Sequence, residues 1–208
     1  MTVQQALESR RSIKQYNPKG VLPDEQLREL FEAVRLTPSS FNIQHWSFIV
    51  VRDPAGKQSL MEAAFGQKQV GDCAAAVIIV ADPDAYRKAG QLWRKSNAPE
   101  QVVERMESMI PSFYNDKPQL ARDEALRSAG MAAMTLMLKA TEMGLATGPM
   151  IGFDPEEVSS RFGIESPRFP AMLVVLGQAA ADAPRHPRPY RREVSEIVRL
   201  ENGKGRTL

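Results

Sequence analysis

Hydrophobic and polar positions fall into several distinct regimes along the chain. Thr2 and Gln5 have the spacing of a capping box and predict a short first helix ending near Arg10. Pro23, Asp24 and Glu25 open a second helix, in which Leu27, Leu30, Phe31 and Val34 recur at helical spacing. The apolar run Trp46–Val51 predicts a strand. Asp53 and Pro54 start a third helix that runs to about Phe65, and the small and branched residues 74–80 predict a buried strand. The longest helix covers 120–143, with Gly144 as its C-terminal cap. Its centre, Ala129, Gly130, Ala132 and Ala133, is small enough for another helix to approach, which suits a central helix or a dimer seam. Asp154, Pro155 and Glu157 cap the next helix, which ends at Phe162 and Gly163, and residues 171–177 form a third strand.

Two segments escape these patterns. Residues 83–118 hold Trp93, Phe113, Tyr114, Pro99, Pro111, Pro118, Met106 and Met109 in weakly periodic helical stretches. A polar segment that keeps such side chains exposed reads either as a lid or partner contact, or as a poorly packed helical hairpin. The proline-rich last thirty residues cannot form a core alone and must wrap over something. No repeat or linker divides the chain. A single domain over 1–208 follows, with a lid or insert at 83–118 and a C-terminal arm at 178–208. Strands separated by helices without regular βαβ repetition favour an α+β fold.

Composition narrows the function classes. With 208 residues, 43 % hydrophobic and 25 % charged, the chain has the make-up of a soluble globular protein. Its formal charge of +2 gives no ground for nucleic-acid or membrane binding, although Arg185, His186, Arg188, Arg191 and Arg192 form a basic run without an acid. One cysteine, Cys73, excludes an intrachain disulfide, and one cysteine with two histidines cannot supply the usual zinc shell. No metal site is expected. The N-terminus lacks the apolar segment of a secretory signal, and no apolar run is long enough to span a bilayer. A cytoplasmic location is the expectation.

Side chains alone offer little chemistry. Neither His45 nor His186 sits in a recognisable nucleophile setting, Cys73 reads as a core residue, and Glu156 with Glu157 reads as helix-capping acids. A cofactor would therefore supply the reactivity. No glycine-rich nucleotide fingerprint is present, so side chains must hold that cofactor. Beyond the first helix, Arg10, Ser12 and Lys14 of an extended segment share one face, opposite Arg11 and Ile13. Guanidinium, hydroxyl and ammonium together suit a phosphate, whereas basic residues that merely complement the helix dipole would explain only Arg10 and Arg11. The turn with Pro38, Ser39, Ser40, Asn42 and Gln44 carries four hydrogen-bonding side chains. It reads either as recognition of the edge of a planar heteroaromatic ligand or as a satisfied polar loop.

Arg-Arg-Ser-x-Lys at 10–14, Pro-Ser-Ser-x-Asn-x-Gln-x-Trp at 38–46 and Gly-Pro-Met-Ile-Gly at 148–152 occur in the order and separation that resemble the FMN-dependent nitroreductases. The similarity is greatest to the short bacterial NAD(P)H type. The resemblance implies a central sheet flanked by helices, with the C-terminal arm extended onto the partner subunit of a homodimer. It implies FMN, with NAD(P)H as co-substrate and a small electron-poor acceptor such as a nitroaromatic or quinone. Arg10, Arg11, Ser12, Arg191 and Arg192 would hold the phosphate, and Lys14 the pyrimidine edge. Pro38, Ser39, Ser40 and Asn42 would line the flavin from the second subunit, with Gln67 and Gln69 as polar contacts. Pro149, Met150, Ile151 and Gly152 would lie against the ring, a backbone amide near Met150 and Ile151 meeting flavin N5. No catalytic side chain is assigned. Ile151 replaces a commoner glutamate, and His45 a commoner proline. A flavin reductase, enone reductase or dehalogenase of the same fold remains open, as does a non-catalytic binder of a phosphorylated ligand.

Overall fold

The computed structural model describes residues 1–184 and 187–208. Strands β1 (Trp46–Val51), β2 (Ala75–Ala81), β3 (Ala146–Met150) and β4 (Phe169–Gly177) form one antiparallel sheet in the order β1-β2-β4-β3. The α+β class expected from the pattern is the one observed. Strand β3 is a correction to the sequence reading, which placed only three strands. Pro149 masks it as a strand, and the position is tolerated because β3 is an edge.

Strand β2 is buried along its whole length, and its alternation sorts the core into two layers. Val77 and Ile79 face helices α2 (Asp24–Val34) and α7 (Pro118–Glu142), whereas Ala76, Ile78 and Val80 face α3 (Pro54–Ala63) and α8 (Pro155–Phe162). Ala129, Ala132 and Ala133 of α7 lie in the first layer, so their small size brings this central helix down onto the sheet. Gly130 points the other way, into open space. Burying a leucine such as Leu136 or Leu173 contributes about 1.5–3 kcal/mol.

The helix boundaries follow local chemistry. Thr2 and Gln5 form the capping box on α1 (Val3–Ser9), Asp53 caps α3, and the Asp154 carboxylate accepts from the Glu156 and Glu157 amides of α8. Glu157 itself pairs with Arg161 rather than capping. Helix α3 ends at Ala63, short of the expected Phe65, because Phe65 and Gly66 turn left-handed. A short α4 (Lys68–Asp72) leads into β2.

The reading of 83–118 as poorly packed, with its aromatics exposed, also needs correcting. Helices α5 (Ala89–Arg94) and α6 (Glu100–Tyr114) enclose a third cluster, in which Tyr114 is only 2 % exposed and joins Ile43, Tyr86 and Ile110. Phe113 stays exposed. No helix among the described residues is long and apolar enough to cross a membrane.

Candidate functional site

Arg10 ends α1 with an extended backbone, and the chain then runs onto edge strand β3. Ser12 forms a parallel bridge with Thr147, and the Ile13 N–H donates to the Thr147 carbonyl at 2.9 Å. The fit depends on Gly148: a Cβ there would stand 2.7 Å from the Ile13 carbonyl oxygen and 2.9 Å from Val175 Cγ2. The C-terminal arm returns to the same place, the Asn17 N–H bonding to the Gln178 carbonyl and the Ala180 N–H to that of Gln15. Farther along, Arg188 Nη2 donates to the carbonyls of Leu7, Glu8 and Arg10 at 3.0, 3.2 and 3.1 Å. A helix C-terminus leaves such carbonyls without helical partners, and a cation there is doubly favoured. Arg188 thus clasps the arm to α1.

Between segment and arm lies a cleft of about 800 Å³, walled by Arg10, Arg11, Ser12, Thr147, Arg188 and Arg191 among others, with no Asp or Glu among the described residues of its lining. Arg11 turns back onto the Glu8 and Arg10 carbonyls, and Arg191 onto those of Pro189 and Tyr190. Burial, and then the guanidiniums of Arg188, Arg11 and Arg191, push Arg10 below the usual arginine range. Among the described residues the buried Thr147 hydroxyl has no partner. Uncompensated guanidiniums with a nearby hydroxyl suit phosphate oxygens, the anion that a planar fork recognises best.

Residues 7–178 match the sequence profile of the Nitroreductase family. The chain belongs to the nitroreductase family. Protein DrgA of Synechocystis is 41 % identical over 180 residues, covering 86 % of this chain and 85 % of its own. A Bacillus subtilis protein provisionally named NAD(P)H nitroreductase MhqN is 36 % identical over 91 % of this chain and 94 % of its own. Among solved structures, the FMN complex of a provisionally named nitroreductase from Exiguobacterium sibiricum is 28 % identical, with a TM-score of 0.86 over 95 % of this chain and 96 % of that one.

In this chain the other predicted residues fall in separate places. Lys14 and Arg192 do not line the cleft, and Arg185 and His186 lie outside the described residues. Arg188, left out of the predicted site, holds the arm in place. Its signal was present in the basic run, but its acceptors, the carbonyls of a helix end 180 residues away, leave no trace in a sequence pattern.

The turn after α2 is also remote from the cleft within one chain. Ser39 Oγ accepts from the Gln44 N–H, Ser40 Oγ and the Tyr114 hydroxyl are 2.8 Å apart, and the Trp93 indole donates to the Phe41 carbonyl. Phe41, Asn42 and Gln44 all have positive φ, so the turn is held in a conformation that L-residues adopt at a cost. Pro38 and Asn42 remain exposed.

His45 is 1 % exposed, with Nδ1 3.3 Å from Ser128 Oγ and Nε2 without a partner among the described residues. Desolvation lowers its pKa against opposing pulls from Glu124 and Asp82. Burial pushes the Cys73 thiol up to about 11, which removes it as a nucleophile near neutral pH.

Past β3, Gln67 Nε2 donates to the Gly152 carbonyl at 2.6 Å, and Gln69 bonds to Gln67 and approaches Met150 Sδ. These glutamines hold the 150–152 backbone in shape. Ile151 stands 78 % exposed beside it.

Proposed function

We propose that this chain is an FMN-dependent NAD(P)H oxidoreductase of the cytoplasm that reduces nitroaromatics, quinones or similar electron-poor acceptors, working as a homodimer with two composite sites. The observation that carries the reading is the cationic cleft, whose arginines have one another for neighbours and no acid to balance them. It fits the phosphate of FMN. Arg10, Arg11, Ser12 and Arg191, which line the cleft, hold that phosphate, and Lys14, outside it, serves the pyrimidine edge. Pro149, Met150, Ile151 and Gly152, braced by Gln67 and Gln69, back the ring.

When bound, FMN supplies reversible acceptance and release of a hydride, which lets NAD(P)H and the acceptor use one face in turn. The chain's own work is to bind, orient and expose. His45 is buried and the Cys73 thiol is protonated, so neither is suited to proton transfer at the site.

Dimerisation is supported by apolar surface left over in one chain. Arm residues Tyr190, Val194, Ile197 and Leu208 are exposed, as is Met131 on α7 beside the open Gly130. Beside β1 lies a groove in which Leu27, Phe31, Trp46, Phe48 and Val50 alternate with the charged Asp24, Arg28, Glu32 and Arg35. A second copy covers such surfaces and brings Pro38, Ser39, Ser40 and Asn42 to the first copy's flavin. Residues 83–118, linked to that turn by Trp93 and Tyr114, then form the lid on the acceptor side.

Purified protein should be yellow and should show parallel double-reciprocal lines when nucleotide and acceptor are varied together. Intersecting lines would show that both substrates bind at once, and the shared face would be wrong.

A further inference from the structure

We propose that the pocket at the far end of β3 binds the anionic group of an aromatic electron acceptor through Arg122 and Arg168. This rests on the flavin reading above and adds to it a substrate class.

The pocket exists because the strands of the sheet differ in length. Strand β3 stops where Met150 pairs with Leu173, whereas β4 extends back to Phe169. The space beside Phe169, Pro170 and Ala171 is closed by the first turns of α7 and the start of α8, leaving about 610 Å³. Leu126, Ile151, Phe153 and Phe169 give it apolar walls. Ile151 belongs both to this lining and to the backbone proposed to meet the flavin ring, which puts the pocket next to that backbone.

Its charge is out of balance. Among the described residues Arg122 and Arg168 make no ion pair with a carboxylate, a state they share with Arg10, Arg11, Arg188, Arg191 and several other arginines; what sets them apart is that both line one pocket with apolar walls. Arg122 is held by packing instead, its Cζ 4.2 Å from the centre of the Phe169 ring. Among the described residues Glu156 is the one acid in the lining, and it forms no ion pair with either arginine. Two guanidiniums at the rim of an apolar slot suit a flat ring carrying a carboxylate or similar anion: the ring takes the apolar wall and the anion takes the fork. A neutral ring gains only the wall.

The test compares para-nitrobenzoate with the neutral para-nitrobenzamide as acceptors for wild type, Arg122→Gln and Arg168→Gln. Equilibrium titration with benzoate, which cannot be reduced, gives a readout independent of turnover. Each variant should lower kcat/KM for nitrobenzoate about tenfold or more, through KM, and weaken benzoate binding in parallel. Nitrobenzamide turnover should change little. Equal losses on both acceptors would overturn the proposal. So would a raised KM for NADPH over NADH with nitrobenzoate untouched, because the anion would then be the nucleotide's phosphate. A wild-type protein without flavin, or inert toward nitrobenzamide, would instead overturn the flavin reading itself and the proposal with it.

Discussion

The cationic cleft and the polar turn of residues 38–45 look alike in sequence, since each is a short cluster of ligand-type side chains. They differ in what the fold leaves unspent. In the turn, Ser39 and Ser40 bond within the chain and the backbone is locked by Tyr114 and Trp93. In the cleft, Arg10, Arg11, Arg188 and Arg191 crowd together without an acid. A satisfied cluster has a fixed shape and can present it; an unsatisfied one needs a counter-charge. On the proposed function, the cleft captures the phosphate and the turn serves as a rigid wall for the partner's flavin.

The largest expected effect comes from removing the arm. Deleting residues 184–208 spares the backbone bonds that Gln178 and Ala180 make with the N-terminal segment, but removes Arg188, Arg191 and much exposed apolar surface. Flavin and dimer should be lost together, read by absorbance and light scattering. A flavin-loaded monomer would separate the two and break the composite-site reading.

Single substitutions sharpen the contrast. Arg10→Ala should cost about 1.5–3 kcal/mol of FMN binding, tenfold or more in Kd by titration, with little change in stability. Ser40→Ala should do the reverse. It strands the Tyr114 hydroxyl in a nearly buried site and should lower stability by about 1–3 kcal/mol in a urea melt. If both variants acted on the same quantity, the division of labour would be wrong.

The smallest effect is a pH slope from His45 beneath the turn. Its folded pKa lies below the ordinary 6.5, so its contribution to stability is complete above that pH, where both states are neutral. As pH falls through about 6.5 the unfolded chain takes up a proton that the native chain refuses, and stability drops by at most about 1.4 kcal/mol per pH unit. Melts between neutral and mildly acid pH should show this slope, and His45→Gln should flatten it. A slope that survives the substitution belongs to other groups.

Local chemistry is where the sequence by itself decided the outcome. The Thr2 and Gln5 capping box, Asp53 ahead of Pro54, the helical spacing in α2 and the uncharged run of β1 each involve neighbours a few residues apart, and each formed where expected. The face expected of the Arg-Arg-Ser segment is corrected: Arg10 and Ser12 line the cleft, but so do Arg11 and Ile13, and Lys14 does not. Tertiary structure decided what depends on distant partners. Strand β3 is a strand because β4 pairs with it and its edge position tolerates Pro149. Tyr114 is buried because α5 and α6 close on Ile43 and Tyr86. Arg188 became a clasp because carbonyls nearly the whole chain away lie within its reach. Periodicity and capping record interactions within a turn or two of chain, whereas unmet charge, edge pairing and burial are set only when remote segments meet.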